Sequence, residues 1–324
     1  MRYIELTELD EELKRVEERA KISDDELRKS LSEFCLKIDY NMPGDPFSEE
    51  YIQAQMDLYS LVSGKKYSVE NEFSEFIFEE RLNNPFPYFT ESPTTVGDQL
   101  MGIGFLIRSM ALPPKSNIIE FGAGWGETTY HLGMMGYNIT VVDVEKKFLD
   151  LITTKLNKNN RNVEVIQEDM LKFRSSLKYD AALFYESFHH CSNPFTFLDH
   201  LYDMIKDTGI ICFAAEPIVR GFAEYLPYSW GIRLDGMSVW SMRKFGWLEF
   251  GFEQSFFIEM LNRSGFSVDE FENNLCPLSH IFIARKIKYK INSPLKRNIF
   301  ASSDTVDSEA SILTCFRNKL FGGK

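Results

Sequence analysis

Hydrophobic and polar positions along this chain follow two periods, and the places where the period changes divide it. Over residues 1 to about 40 the spacing is helical: Leu6, Leu9, Leu13, Val16 and Ala20 recur three and four apart, with charges between them. This heptad seam is shorter than a free-standing coiled coil needs, so its expected partner is the rest of the same domain. A homodimer contact through this helix is the sharper alternative. Met42-Pro43-Gly44-Asp45-Pro46 then marks a turn. From Pro46 to Leu112 the reading stays helical and rich in aromatics, with Tyr51, Met56, Leu58 and Leu61 on one face and Phe73, Phe76, Ile77 and Phe78 on another. Asn84 to Phe89 must be irregular, because its two prolines fix their own φ and restrict their neighbours. Thr94 to Met110 resumes as a helix.

After Ser116 short apolar runs alternate with helical stretches. Strands are expected near Ile118–Glu120, Asn138–Asp143, Val163–Gln167, Tyr179–Phe184 and Ile210–Ala215, with helices at Glu127–Met135, Glu145–Asn157 and Pro194–Lys206 between them. Such alternation implies an α/β fold, a mostly parallel sheet covered by helices on both faces. Glu253–Ser264 reads as a further helix, and Ser267–Glu272 with Ile281–Arg285 as a closing hairpin, for seven strands in all. Residues 217–251 interrupt this order with no clear period but with many Trp, Tyr, Phe, Gly and Arg residues. A long insertion leaving the end of the fifth strand lies on the ligand-binding edge of an open sheet and is the expected substrate cover.

Composition narrows the class. The chain has 324 residues, 44% of them hydrophobic and 28 of them Phe, which suits either a large apolar pocket or a dense core. A net charge of −12 disfavours a nucleic-acid partner, since phosphate neutralisation needs clustered Lys and Arg. Cys35, Cys191, Cys212, Cys276 and Cys315 are odd in number and scattered, so neither a disulfide framework nor a metal site is expected. Met1 to Asp10 is polar and acidic, unlike a signal peptide, and no apolar run approaches the ~18 residues of a membrane span. A cytoplasmic location follows as the expectation.

The most informative run is Ile118-Ile119-Glu120-Phe121-Gly122-Ala123-Gly124-Trp125-Gly126. A buried strand ends in an acid, breaks into three alternating glycines and enters a helix, so backbone N–H groups face outward where a ligand approaches closely. The spacing is G-x-G-x-G, and differs from the G-x-G-x-x-G of pyrophosphate-binding dehydrogenases. With the acid two residues upstream, it resembles motif I of the class I, Rossmann-like S-adenosylmethionine-dependent methyltransferases, and the resemblance extends over about Ser116 to Arg285. It implies that Glu120, Gly122, Gly124 and Gly126 border the methionine part of the cofactor, S-adenosyl-L-methionine. Asp143, at the tip of the second strand, is expected to accept hydrogen bonds from both ribose hydroxyls. After the third strand, Asp169, with Glu168 as the alternative, is placed at the adenine amine, and Met170 at the ring face. Glu186, after the fourth strand, is placed near the cofactor's amino group.

His189 and His190 stand where donor and acceptor should meet, and a histidine titrating near neutrality can take a proton from a hydroxyl. Successive residues point different ways, so at most one of them should face the acceptor. Tyr88, Glu216, Arg220, Arg233 and His280 are further candidates for a polar acceptor. Cys191-Ser192-Asn193-Pro194 lacks the aromatic that follows proline in the motif of base-amino methyltransferases, which disfavours DNA methylation.

The expected organisation is a helical extension over 1–45, a helical cap over 46–112, a cofactor-binding core over 113–285 with the 217–251 insertion, and a tail over 286–324. The expected function is methyl transfer to a small molecule or sugar/glycan precursor, with oxygen favoured over nitrogen. A protein or peptide methyltransferase is one alternative; a cofactor-binding assembly partner without catalysis is another.

Overall fold

The computed structural model describes residues 1–84, 91–161 and 163–287, all within one compact unit. The chain opens with a short strand β1 (Arg2–Glu5), helices α1 (Leu9–Ala20) and α2 (Asp24–Ser32), and a second strand β2 (Phe34–Lys37) parallel to the first. This corrects the expectation of helix throughout the first forty residues. Ser23 restarts the helix by accepting the Glu26 N–H, and the adjacent Phe34, Cys35 and Leu36 are all buried, leaving no polar face for a helix to show. Leu9, Leu13 and Val16 of the heptad seam are buried in the chain's own core. Leu6 and Ala20, the ends of that seam, are partly buried.

Helix α3 (Glu49–Ser63) buries Tyr51, Ala54, Gln55, Leu58, Tyr59 and Val62, while Leu61 is exposed. The buried stripe is rotated from the expected one because Gln55 and Tyr59 turn inward to bond backbone groups of the insertion. Phe73 and Ile77 are likewise exposed. A short α4 (Phe78–Asn83) and the longer α5 (Pro93–Met110) lead into the core.

The core alternates as expected: β3 (Asn117–Phe121), α6 (Glu127–Met134), β4 (Asn138–Asp143), α7 (Lys146–Asn157), β5 (Glu164–Gln167), β6 (Tyr179–Tyr185), α8 (Pro194–Met204) and β7 (Ile205–Ala214). The insertion follows, with β8 (Ile218–Val219), β9 (Trp230–Ile232), α9 (Gly236–Lys244) and β10 (Phe250–Glu253); α10 (Gln254–Arg263), β11 (Phe266–Glu272) and β12 (His280–Lys286) complete the fold. The large sheet has the order β11-β12-β7-β6-β3-β4-β5, with β12 antiparallel to both neighbours and β3 to β7 mutually parallel.

Period-two patterning fills both faces of this sheet. On β6 and β7, Ala182, Phe184, Ile211 and Phe213 enter one apolar cluster, and Ala181, Leu183, Ile210 and Cys212 enter the other. Phe121, Phe184 and Phe213 stack across three adjacent strands, with centroids 5.4 and 5.3 Å apart and planes within 10°. Most of the phenylalanine thus serves a dense core, one of the two uses its abundance allowed.

The insertion is more regular than its sequence suggests. Its strands make a separate sheet, ordered β8-β10-β9, and α9 packs against α2, α3 and β2. Gln55 closes the free edge of β9, donating to the Trp230 carbonyl at 2.9 Å and accepting the Ile232 N–H at 3.0 Å, across Gly231. A side-chain amide here takes the place of a neighbouring strand. The N-terminal elements and the insertion are thereby tied into one layer over the carboxyl ends of the core strands.

Candidate active site

The site is built at the carboxyl edge of the parallel strands. Gly122, Gly124 and Gly126 all have positive φ, between 50° and 76°. A Cβ on Gly126 would stand 2.2 Å from Ile152 Cγ1, whereas one on Gly124 would meet nothing within 4 Å. The third glycine thus lets helix α7 pack, and the second leaves open space in front of the backbone. Behind the turn, Ser187 Oγ donates to the Phe121 carbonyl at 2.8 Å, tying the tips of β3 and β6 together.

Two carboxyl groups border the loop. Asp143, at the tip of β4, accepts the Gly124 N–H at 3.2 Å and the Glu145 N–H at 2.9 Å. Glu120 is buried and accepts the Thr129 hydroxyl at 2.6 Å. Burial pushes Asp143 up to about 6 and Glu120 up to about 7, with Glu145 adding like charge at Asp143 and Asp143 at Glu120. Such groups gain from a ligand that donates hydrogen bonds. Glu168 and Asp169 lie beyond β5, Glu168 exposed and Asp169 half-buried with its Oδ1 accepting the Leu171 N–H at 2.9 Å. Met170 lines the same wall.

These residues share one cavity of about 620 Å³ with Glu186, His189, His190, Arg233 and Glu249. Glu186 has φ 52°, a left-handed conformation that costs a non-glycine residue on the order of 1 kcal/mol. Burial, with Glu216 and Glu249 nearby, pushes its carboxyl up to about 7.

His189 Nδ1 lies 2.8 Å from Glu216 Oε2. Glu216 also accepts the backbone N–H groups of Ser187, Phe188 and His189 at 2.8, 2.8 and 3.2 Å. Burial alone would raise Glu216, but His189 and these amides outweigh it and hold the carboxyl below its usual range. The ionised carboxylate fixes the His189 ring with Nδ1 protonated and Nε2 turned toward Glu249, whose Oε2 is 3.8 Å away. Burial and His190 keep His189 below the usual imidazole value. His190 Nδ1 stands 3.1 Å from Glu72 Oε2 in an ion-pair contact; burial would lower its pKa, but Glu72 carries it up to about 9. Arg233 bonds to Glu249 and approaches Asp235 at 3.9 Å.

Aromatic residues close the cavity at both ends. Trp240, Phe245 and Trp247 come from the insertion and Tyr67 from the N-terminal layer. Over the glycine loop, Phe76 packs on Trp125 and Phe148 with centroids 4.7 and 5.3 Å apart.

The structure does not bring every sequence candidate here. Glu216 is absent from the cavity wall and stands behind His189, because its carboxylate is taken by the amides of the β6 turn. Arg220 and His280 also lie outside the cavity. After β8 the chain runs over the sheet edge, where Arg220 pairs with Glu270 and Glu272 at 2.8 Å and His280 with Glu270 at 2.8 Å. Tyr88 falls outside the described residues. Trp240, Trp247 and Glu249 had no signal in the sequence, since they come from the insertion without a clear period; Glu72 lay unmarked in the helical stretch before the core, and Ser187 and Trp125 were legible only as part of the runs around them.

A family model described as a methyltransferase domain matches residues 119–211, from β3 into β7. A methyltransferase domain thus runs from β3 into β7. In sequence, this methyltransferase domain is similar to the ubiquinone biosynthesis O-methyltransferases of Rickettsia prowazekii, at 27% identity over 96 residues, and Rickettsia bellii, at 27% over 93. These matches cover 30% and 29% of this chain, and the chain spans under two-fifths of the curated relatives' length, 38% and 39%. Among solved structures, the 1,6-didemethyltoxoflavin-N1-methyltransferase of Burkholderia thailandensis aligns at TM-score 0.43 and 15% identity, over 58% of this chain and 78% of its own. The N-methyltransferase NodS of Bradyrhizobium japonicum aligns at 0.41 and 16%, over 64% and 94%. Among the described residues no helix is long and apolar enough to cross a membrane.

Proposed function

We propose that this chain transfers the methyl group of S-adenosylmethionine to a hydroxyl oxygen of a small molecule, with a sugar or glycan precursor the class that best suits the cavity. In this reading Asp143 takes the ribose hydroxyls and Glu120 with Gly122, Gly124 and Gly126 borders the methionine part. Asp169 or Glu168 meets the adenine amine, Met170 faces its ring, and Glu186 takes the amino group. His189, His190 and Arg233 face the acceptor, and Glu216 acts as a positioning residue through His189. The N-terminal layer and the insertion serve as the substrate cover. The observation that carries the reading is the Asp143 carboxylate beside a glycine turn whose middle residue opens on the cavity.

The chemistry asks for alignment more than for acid–base power. The sulfonium supplies an already activated methyl group, so the protein must hold acceptor, methyl and sulfur in line and keep water out. A hydroxyl acceptor also has to lose its proton, and the imidazoles with Glu249 are the groups placed to assist. Trp240 and Trp247 in the cavity wall beside carboxylates and imidazoles suit a ring bearing hydroxyls better than a peptide. The similarity to O-methyltransferases supports oxygen as the acceptor atom.

A thermal-shift panel of S-adenosylmethionine, S-adenosylhomocysteine, NAD and NADP tests the donor. Stabilisation by the first two alone is expected, and stabilisation only by a nicotinamide cofactor would overturn the reading.

A further inference from the structure

We propose that a divalent transition-metal ion binds between His189, His190 and Glu249 and holds the acceptor oxygen at the methyl group. The proposal rests on the acceptor assignment above and adds the group that activates the hydroxyl.

One nitrogen of each imidazole and one carboxylate oxygen of Glu249 all lie within 4.8 Å of one another. His189 Nε2 and Glu249 Oε2 are already at 3.8 Å. Small side-chain rotations contract such a triangle to the edges of a site with bonds of about 2.1 Å. Two imidazoles and a carboxylate are the donor set of zinc, iron and manganese centres that keep positions open for substrate.

The surroundings have the form of an outer ligand shell. A metal-bound histidine usually gives its other ring nitrogen to a carboxylate, which fixes tautomer and orientation. Glu216 holds His189 Nδ1 at 2.8 Å, and Glu72 stands 3.1 Å from His190 Nδ1. His189 thus has Nδ1 hydrogen-bonded to a carboxylate, His190 has Nδ1 within ion-pair distance of one, and Nε2 of each ring is left over. Glu72 is itself fixed, accepting the Leu248 N–H at 2.9 Å one residue before Glu249. Arg233 engages the same Oε2 of Glu249 that faces His189 Nε2, so an ion there shares this carboxylate with the guanidinium.

With the acceptor hydroxyl on the ion, its acidity rises and its proton passes to Glu186 or water. The oxygen lone pair then forms the O–C bond, the C–S bond breaks, and its electron pair stays on sulfur, giving S-adenosylhomocysteine and a methyl ether. No oxidant or reductant is required.

The test uses the tag-free full chain, stripped with chelator, dialysed and titrated calorimetrically with Zn²⁺ and separately with Mn²⁺. One ion per chain is expected for at least one of them. Glu249→Gln and His190→Ala should each weaken it at least tenfold, and Glu216→Gln on the order of tenfold or more. S-Adenosylhomocysteine affinity in the same variants should stay within about twofold, which shows that the fold is intact. Asp143→Ala should do the reverse, losing the nucleoside and keeping the ion, so failure of the donor assignment is read separately. No ion binding, or binding that neither Glu249→Gln nor His190→Ala alters, would overturn the proposal. So would a stripped protein that turns over as fast as the loaded one while His189→Ala abolishes turnover, since His189 would then be a direct base.

Discussion

Asp143, the residue proposed to hold the ribose, carries a cost in its burial. Its carboxyl is raised to about 6 by burial, above the unfolded value of 3.8. The folded chain therefore binds the extra proton between those values, and this group's contribution to stability falls as pH rises through that window. A ligand donating two ribose hydroxyls favours the charged form, so its binding expels the proton. S-Adenosylhomocysteine affinity should then rise roughly tenfold from pH 5 to pH 7 and level off above, by the linkage of one titrating group. Calorimetry across that range should give the slope in the wild type and a flat, weaker profile in Asp143→Asn; the same slope in both would remove Asp143 from the ribose. Gly126 carries a purely steric demand. Gly126→Ala places a Cβ 2.2 Å from Ile152 at φ 76°, so a loss of about 2 kcal/mol or more is expected in denaturant unfolding. Both residues were legible in sequence, because a strand tip and a turn are local features. Glu249 and Glu72 were not legible, because their place in the cluster depends on contacts between distant segments.

At the scale of elements, the core strands and helices were readable because each carries its own period, two or 3.6. The N-terminal strands and the insertion were not, since β1, β2, β8, β9 and β10 are four residues or fewer and leave too short a record of alternation. What holds them is side-chain pairing across sequence, with Gln55 on β9 as the clearest case. Gln55→Leu keeps the volume but strands the buried Ile232 N–H, while the Trp230 carbonyl keeps the Tyr51 hydroxyl at 3.0 Å. It should cost about 1–3 kcal/mol by urea unfolding, the penalty of one orphaned group. A variant as stable as the wild type would show that β9 does not depend on this amide. Because the same contact joins α3 to the insertion, acceptor turnover should fall in Gln55→Leu more than S-adenosylhomocysteine affinity does.

For the whole molecule, the fold divides the work between a regular half and an irregular half. The parallel sheet offers Asp143, the glycine turn and the residues after β5 on one edge. The N-terminal layer and the insertion bring Glu72, Arg233, Trp240, Trp247 and Glu249 to face them across the cavity. The donor half follows from local sequence, and the acceptor half exists only once distant segments pack. That is why sequence pointed to the cofactor but placed Arg220 and His280, which pair with Glu270 at the sheet edge, among the acceptor residues.

The most direct measurement is a crystal structure of the complex with S-adenosylhomocysteine. The account predicts both ribose hydroxyls on Asp143, the amino-acid end along Gly122 to Gly126, and the sulfur facing His189, His190 and Glu249 across the space for an acceptor. A nucleoside bound with its ribose away from Asp143, or a sulfur facing away from those three residues, would contradict it.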